Sequence, residues 1–132
     1  MSTILIVEDD QVNAKVFSKI LTKRGGLTVK HTEDVKEVVE IVSSKQADLI
    51  LMDVSLTHSV YKGEAFDGIK ITRLLKSDPT IPKVPIILLT AHAMSGDREN
   101  FLRKSGADGY ISKPVVDHQE FVNHIKSFLS ED

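Results

Sequence analysis

The chain has 132 residues, 41% hydrophobic and 27% charged, with a net charge of −2. That length fits one domain with a continuous core, and the charge balance excludes wholesale nucleic-acid binding, which calls for a clustered basic excess. Cysteine is absent, which excludes a disulfide scaffold and a thiolate metal site. The apolar start, Met1 to Val7, lacks a basic leader and runs at once into acids, unlike a signal peptide. No apolar run is long enough to span a bilayer, so a cytoplasmic protein without membrane contact is expected.

Short apolar runs alternate with segments of helical period. Ile4 to Val7 reads as a strand buried on both faces. Gln11 to Arg24 carries Val12, Val16, Phe17, Ile20 and Leu21 at helical spacing, and Gly25-Gly26 stops it. Leu27 to His31 is a second strand. Asp34, with Glu37 three residues on, resembles a helix start, followed by Val35, Val38, Val39 and Val42 on one face. Asp48 to Met52 is a third strand ending on Asp53. Val54 to Ala65 is polar and shows no clear period. Phe66 to Lys76 reads as a helix ended by Asp78-Pro79. Pro85 to Leu89 is a fourth strand ending on Thr90, Ala93 to Ser105 a weaker helix stopped by Gly106, Gly109 to Ser112 a short fifth strand, and Asp117 to Leu129 a final amphipathic helix. Strict alternation of this kind predicts an α/β fold with a parallel sheet, in one domain over residues 1–132.

The chemistry follows from where the acids fall. Glu8, Asp9 and Asp10 come directly after the first strand, and Asp53 closes the third. Sites in doubly wound parallel sheets gather at the carboxyl ends of the strands. If the first and third strands are neighbours, these ends lie roughly 5 Å apart. A carboxylate cluster there repels itself unless one acid protonates or a cation neutralises it. Oxygen-only ligands select a hard cation such as Mg²⁺, which often shares its sphere with a phosphate. Taken singly, such acids are solvated loop residues or caps, and Asp10 is best read as the cap of the first helix. Thr90 ends the fourth strand with a hydroxyl that can donate to a phosphoryl oxygen. Lys113, before Pro114, can reach the same cleft as a point charge. A lone Thr or Lys-Pro is ordinary; a fitting group at four strand ends is not.

In their order and spacing these residues resemble the receiver domain of two-component response regulators, over nearly the whole chain. The matching motifs are Ile4-Leu5-Ile6-Val7-Glu8-Asp9-Asp10, Asp48-Leu49-Ile50-Leu51-Met52-Asp53, Pro85-Ile86-Ile87-Leu88-Leu89-Thr90-Ala91 and Gly106-Ala107-Asp108-Gly109-Tyr110-Ile111-Ser112-Lys113-Pro114. The chain looks most like stand-alone regulators of the chemotaxis and cell-cycle type with a Glu-Asp pair in place of Asp-Asp. The resemblance implies a flavodoxin-like, doubly wound, five-stranded parallel sheet of order 2-1-3-4-5 with five helices. It implies that Asp53 accepts a phosphoryl group, that Glu8, Asp9, Asp53 and the backbone carbonyl of Ser55 hold Mg²⁺ (or Mn²⁺), and that Lys113 pairs with the phosphoryl oxygens through a loop with a cis Lys113-Pro114 bond. Thr90 and Tyr110 become the switch pair, though an aromatic in a fifth strand is more often simple packing. Ala91 leaves the acceptor approachable, and His92 modulates the lifetime of the acyl phosphate if it is not simply a solvated histidine. The implied donor is a sensor histidine kinase or a phosphotransfer protein. The implied downstream partner is a protein met by the fourth helix, fifth strand and fifth helix, near Met94, Lys104, Tyr110 and His118. Such a protein catalyses only its own phosphorylation and slow dephosphorylation, and is not otherwise an enzyme.

The segment after Asp53 departs from the family. Thr57 stands where a Pro is usual, and Gly68 comes several residues late, with the surplus within Thr57 to Ala65. Such a loop is either a neutral surface insertion or an overhang of the acceptor site that affects kinase choice or phosphoryl lifetime. No output domain is expected after the last helix. The competing readings are an interaction module that works without phosphorylation, against which the complete set of strand-end groups speaks, and a flavin binder or aspartyl phosphatase on a similar sheet. A flavin site wants a phosphate-binding loop where Glu8-Asp9-Asp10 would repel it, and an aspartyl phosphatase usually carries its nucleophile after the first strand.

Overall fold

The structure is a computed structural model that describes residues 2–54, 60–90, 97–113 and 115–129. A parallel sheet runs through its centre. Its strands are β1 (Thr3–Val7), β2 (Thr28–Thr32), β3 (Leu49–Asp53), β6 (Ile86–Thr90) and β7 (Gly109–Ser112), in the order β2-β1-β3-β6-β7. A separate antiparallel hairpin joins β4 (Val60–Tyr61) to β5 (Glu64–Ala65). The helices are α1 (Gln11–Gly25), α2 (Val35–Ser43), α3 (Gly68–Ser77), α4 (Asp97–Ser105) and α5 (His118–Lys126). Counting only strands of the main sheet, the order is the expected 2-1-3-4-5.

Side chains of the central strands alternate between two apolar cores, as the pleat requires. Leu5, Val7, Ile50, Met52, Ile86 and Leu88 pack with Val35, Val38, Val42, Ile71 and Leu75 of α2 and α3. Ile4, Ile6, Leu49, Leu51, Ile87 and Leu89 pack with Phe17, Ile20 and Leu21 of α1 and Phe121, Val122 and Ile125 of α5. Helices on both faces are the reason β1, β3 and β6 read as unbroken apolar runs rather than alternating ones.

Helix ends obey local chemistry. The Asp10 carboxylate accepts from the backbone N–H of Val12 and Asn13 and starts α1. Gly26, at φ +65°, ends it by bonding back to the last turn. Asp34 caps α2 through Lys36 N, and Asp117 caps α5 through Glu120 N. Several boundaries shift from the sequence reading, and α5 ends at Lys126 rather than Leu129. Asp67 caps α3 through Lys70 N, so the helix starts at Gly68 rather than Phe66. β2 runs on to Thr32 because its pairing with β1 extends to Val7. The first residues of the predicted fourth helix, 93–96, lie outside the described residues.

The hairpin was not foreseen. Lys62 at φ +52° and Gly63 at φ +79° make its two-residue turn, with the backbone handedness that suits the twist of a hairpin. Tyr61 and Phe66 meet edge to face at 5.7 Å and pack against the α2/α3 core. Lys70 pairs with Glu64 and lies 4.7 Å over the Phe66 ring. Residues 60–65 therefore fold into a compact turn on the α2/α3 side. Thr57, His58 and Ser59 lie outside the described residues.

Candidate functional site

Strand register builds the site. Val7 pairs with Met52, so Glu8 and Asp53 emerge side by side, one step past the last β1–β3 pair. Asp53 pairs with Leu89, which sets Thr90 one step beyond. Thr90 pairs with Ser112, which sets Lys113 one step beyond that. The hydrogen bonds continue past the strands, from Val54 N to Leu89 O at 2.9 Å and from Lys113 N to Thr90 O at 2.8 Å, which holds both residues in line with the sheet.

Glu8, Asp9 and Asp53 each present a carboxylate oxygen, and these oxygens lie within 4.8 Å of one another. Glu8 is 1% exposed and Asp53 2%. Lys113 reaches in from β7, its Nζ 3.2 Å from Asp53 Oδ1 and 3.5 Å from Glu8 Oε2. One ammonium thus faces three carboxyl groups. The consequence is a Glu8 pKa raised from 4.5 to about 7, first by burial, then by the hydrogen bond and the negative charge of Asp53, with Lys113 and Asn13 pulling the other way. The raised pKa lets Glu8 keep a proton, which stands in for missing positive charge. This donor set is all oxygen and short of one cation, which fits a hard divalent ion.

Two site residues were missed in the sequence. Asn13, in the first turn of α1, donates from Nδ2 to Glu8 Oε1 at 3.2 Å. His31 on β2 places Nε2 2.6 Å from the Glu8 carbonyl oxygen. The signal for Asn13 was its place one turn past a capped helix start that directly follows Glu8; His31 had no signal short of strand pairing. Asp10 caps, as read, and is not part of the cluster. Thr90 is fully buried at the end of β6. Tyr110 is 8% exposed, with its ring stacked on Phe101 of α4 at 6.5 Å. Ser55, Ala91, His92, Met94 and Pro114 lie outside the described residues. Among the described residues no helix is long and apolar enough to cross a membrane.

Comparison with known proteins gives consistent results. The response regulator receiver domain family matches residues 4–126. The polar-differentiation response regulator DivK of Brucella anthropi is 34% identical over 129 residues, covering 98% of this chain and 97% of the relative. The receiver domain of a Pseudomonas aeruginosa sensor histidine kinase, solved with a magnesium ion coordinated in its active-site cleft, is 33% identical with a TM-score of 0.77, covering 96% of each chain. A Vibrio cholerae chemotaxis protein shares the fold at 20% identity and a TM-score of 0.78, covering 98% of this chain and 99% of that one.

Proposed function

We propose that this chain, which belongs to the response regulator receiver domain family, accepts a phosphoryl group on the Asp53 carboxylate and uses it to switch binding to a partner protein or to relay it onward. The observation that carries the reading is the convergence of the Glu8, Asp9 and Asp53 oxygens within 4.8 Å with the Lys113 ammonium 3.2 Å from Asp53.

The Glu8, Asp9 and Asp53 oxygens fit a divalent cation such as Mg²⁺, and the Ser55 carbonyl is the further ligand that the family resemblance implies. When bound, it supplies positive charge that keeps Glu8 and Asp53 ionised together and screens an incoming phosphoryl group. An Asp53 carboxylate oxygen attacks phosphorus in line. The donor phosphohistidine carries a proton on its other ring nitrogen, so when the bond from phosphorus to imidazole nitrogen breaks its electron pair leaves with a neutral imidazole. An acyl phosphate forms. Lys113 neutralises charge on the transferring oxygens at no reorganisation cost, because strand pairing already aims it. Most of the catalysis therefore belongs to the receiver.

Thr90 supplies the hydroxyl that bonds the new phosphoryl oxygens, and Tyr110 follows it as the packing between β6, β7 and α4 readjusts. The stack of Tyr110 on Phe101 supports that coupling, since it links β7 directly to α4. The donor is a sensor histidine kinase or phosphotransfer protein. The downstream partner meets α4, β7 and α5, around Lys104, Tyr110 and His118. A cleft of about 330 Å³ between β7 and α5, lined by Tyr110, Val115 and Phe121 among others, supports that placement.

The test is incubation with Mg²⁺ and a small acyl-phosphate donor. Wild type gains the mass of one phosphoryl group, and Asp53→Asn gains none. Labelling of neither would point to an interaction module that works without phosphorylation, and equal labelling of the two would move the acceptor away from Asp53.

A further inference from the structure

Gly68 is the first residue of α3, and it lies flush against the acceptor. A Cβ built there would collide with the carbonyl oxygen of Asp53, stand 2.7 Å from its carbonyl carbon and 3.0 Å from Val54 Cα. These are backbone atoms at the buried end of β3 and the residue after it, so they cannot swing aside as a side chain would. Gly68 N also donates to Val54 O at 3.3 Å. One turn on, the buried Thr72 hydroxyl donates to Gly68 O at 2.8 Å. The chain that leaves β3 at Val54 therefore returns, after the hairpin, to a neck where Val54 meets Gly68. Although Gly68 falls late in the sequence, it follows the hairpin back into contact with Asp53.

We propose that Gly68 and Thr72 are positioning residues for Asp53. The neck they form sets the height of the Asp53 backbone, and through it the distance of the carboxylate from Glu8, Asp9 and Lys113. The hairpin beyond the neck is free to vary without disturbing the acceptor. The inference rests on reading Asp53 as the acceptor, and it replaces the length of the loop with its closure as the feature that governs the site.

The experiment compares Gly68→Ala, Thr72→Val, Thr72→Ser, a Gly-Gly insertion between Lys62 and Gly63, and Leu75→Ala, whose buried side chain lies on the same helix. Each is assayed for thermal midpoint, Mg²⁺ affinity and the rate of acyl-phosphate labelling. Displacement of the reacting group by a fraction of an ångström predicts at least about a tenfold loss of Mg²⁺ affinity and labelling in Gly68→Ala. Thr72→Val should lose less on both, with Thr72→Ser near wild type. The Gly-Gly insertion should leave both unchanged, because loop tips absorb added residues. Leu75→Ala should lower the thermal midpoint while sparing Mg²⁺ affinity. If Gly68→Ala does not fold, the Thr72 pair decides. Wild-type Mg²⁺ affinity in a folded Gly68→Ala, equal behaviour of Thr72→Val and Thr72→Ser, or loss of Mg²⁺ affinity in Leu75→Ala in step with its midpoint overturns the proposal. Failure of wild type to label removes the acceptor reading instead, and Mg²⁺ affinity then decides the positioning claim by itself.

Discussion

The two ends of the sheet each hold a lysine against aspartate, and they use it differently. At the amino ends of the strands, Lys76 Nζ lies 2.6 Å from Asp108 Oδ2 and also donates to Val84 O, while Asp108 accepts from Ile86 N. There one lysine meets one acid, and the spare donors and acceptors are taken up by backbone. At the carboxyl ends, Lys113 faces Glu8 and Asp53 together with Asp9 beside them. The first pair staples α3 to the start of β6 and the loop before β7. The second set is short of positive charge by design of the register, and an imbalance of that kind is what a cation and a phosphoryl group can use.

The sharpest way to break this contrast is Lys113→Ala. Removing a prepositioned cation from a charge-developing site costs on the order of 10²-fold or more in rate. Labelling by an acyl phosphate should fall by that much, with the fold kept in saturating Mg²⁺, whose charge offsets the buried acids that Lys113 leaves uncompensated. A Lys113→Ala protein that labels at the wild-type rate would leave the strand-end cluster without its catalytic reading.

The pH dependence comes next. Glu8 has its folded pKa raised from 4.5 to about 7, so between those values the folded chain holds a proton that the unfolded chain does not. Its contribution to stability is fully present below pH 4.5 and is lost as pH rises through about 7. In chelator, this one group pulls stability down with rising pH, at a slope of up to about 1.4 kcal/mol per unit. Mg²⁺ replaces the proton, so its affinity should fall as pH drops below about 7. Urea unfolding between pH 5 and 8, with chelator and with saturating Mg²⁺, checks both signs against Glu8→Gln, which should flatten the chelator series.

The other end of the sheet should answer to stability alone. Asp108→Ala takes the carboxylate from Ile86 N and from Lys76, which keeps Val84 O, and should cost about 1–2 kcal/mol. Mg²⁺ affinity and labelling should not change. A loss of Mg²⁺ affinity in Asp108→Ala would mean that the two ends are coupled through β6 and β7.

What the sequence made legible follows the same division. β1, β3 and β6 were readable because strands buried on both faces are plain apolar runs, and the site was readable because parallel pairing delivers the next residue of each strand to one edge. Asn13 and His31 were not, since their approach to Glu8 depends on how α1 and β2 lie against β1. Gly68 looked displaced because its spacing from Asp53 counts residues that the hairpin takes out of line. The hairpin itself turns on Lys62-Gly63, where Lys at positive φ gives far less warning than Asn or Asp.

The smallest effect belongs to the hairpin surface. Glu64 and Lys70 form an ion pair whose side chains are 63% and 40% exposed, and such pairs are worth about 0–1 kcal/mol. Glu64→Gln should shift the thermal midpoint barely and leave labelling untouched. Here lysine and acid meet one to one in water, as they do half-shielded at Asp108 and wholly unequally at Asp53. If Glu64→Gln changed labelling, the hairpin would reach the acceptor after all, and the neck at Gly68 would not insulate it. A null result places all three pairs on one scale, in which burial and the number of acids per lysine, rather than the ion pair itself, decide what a charge does.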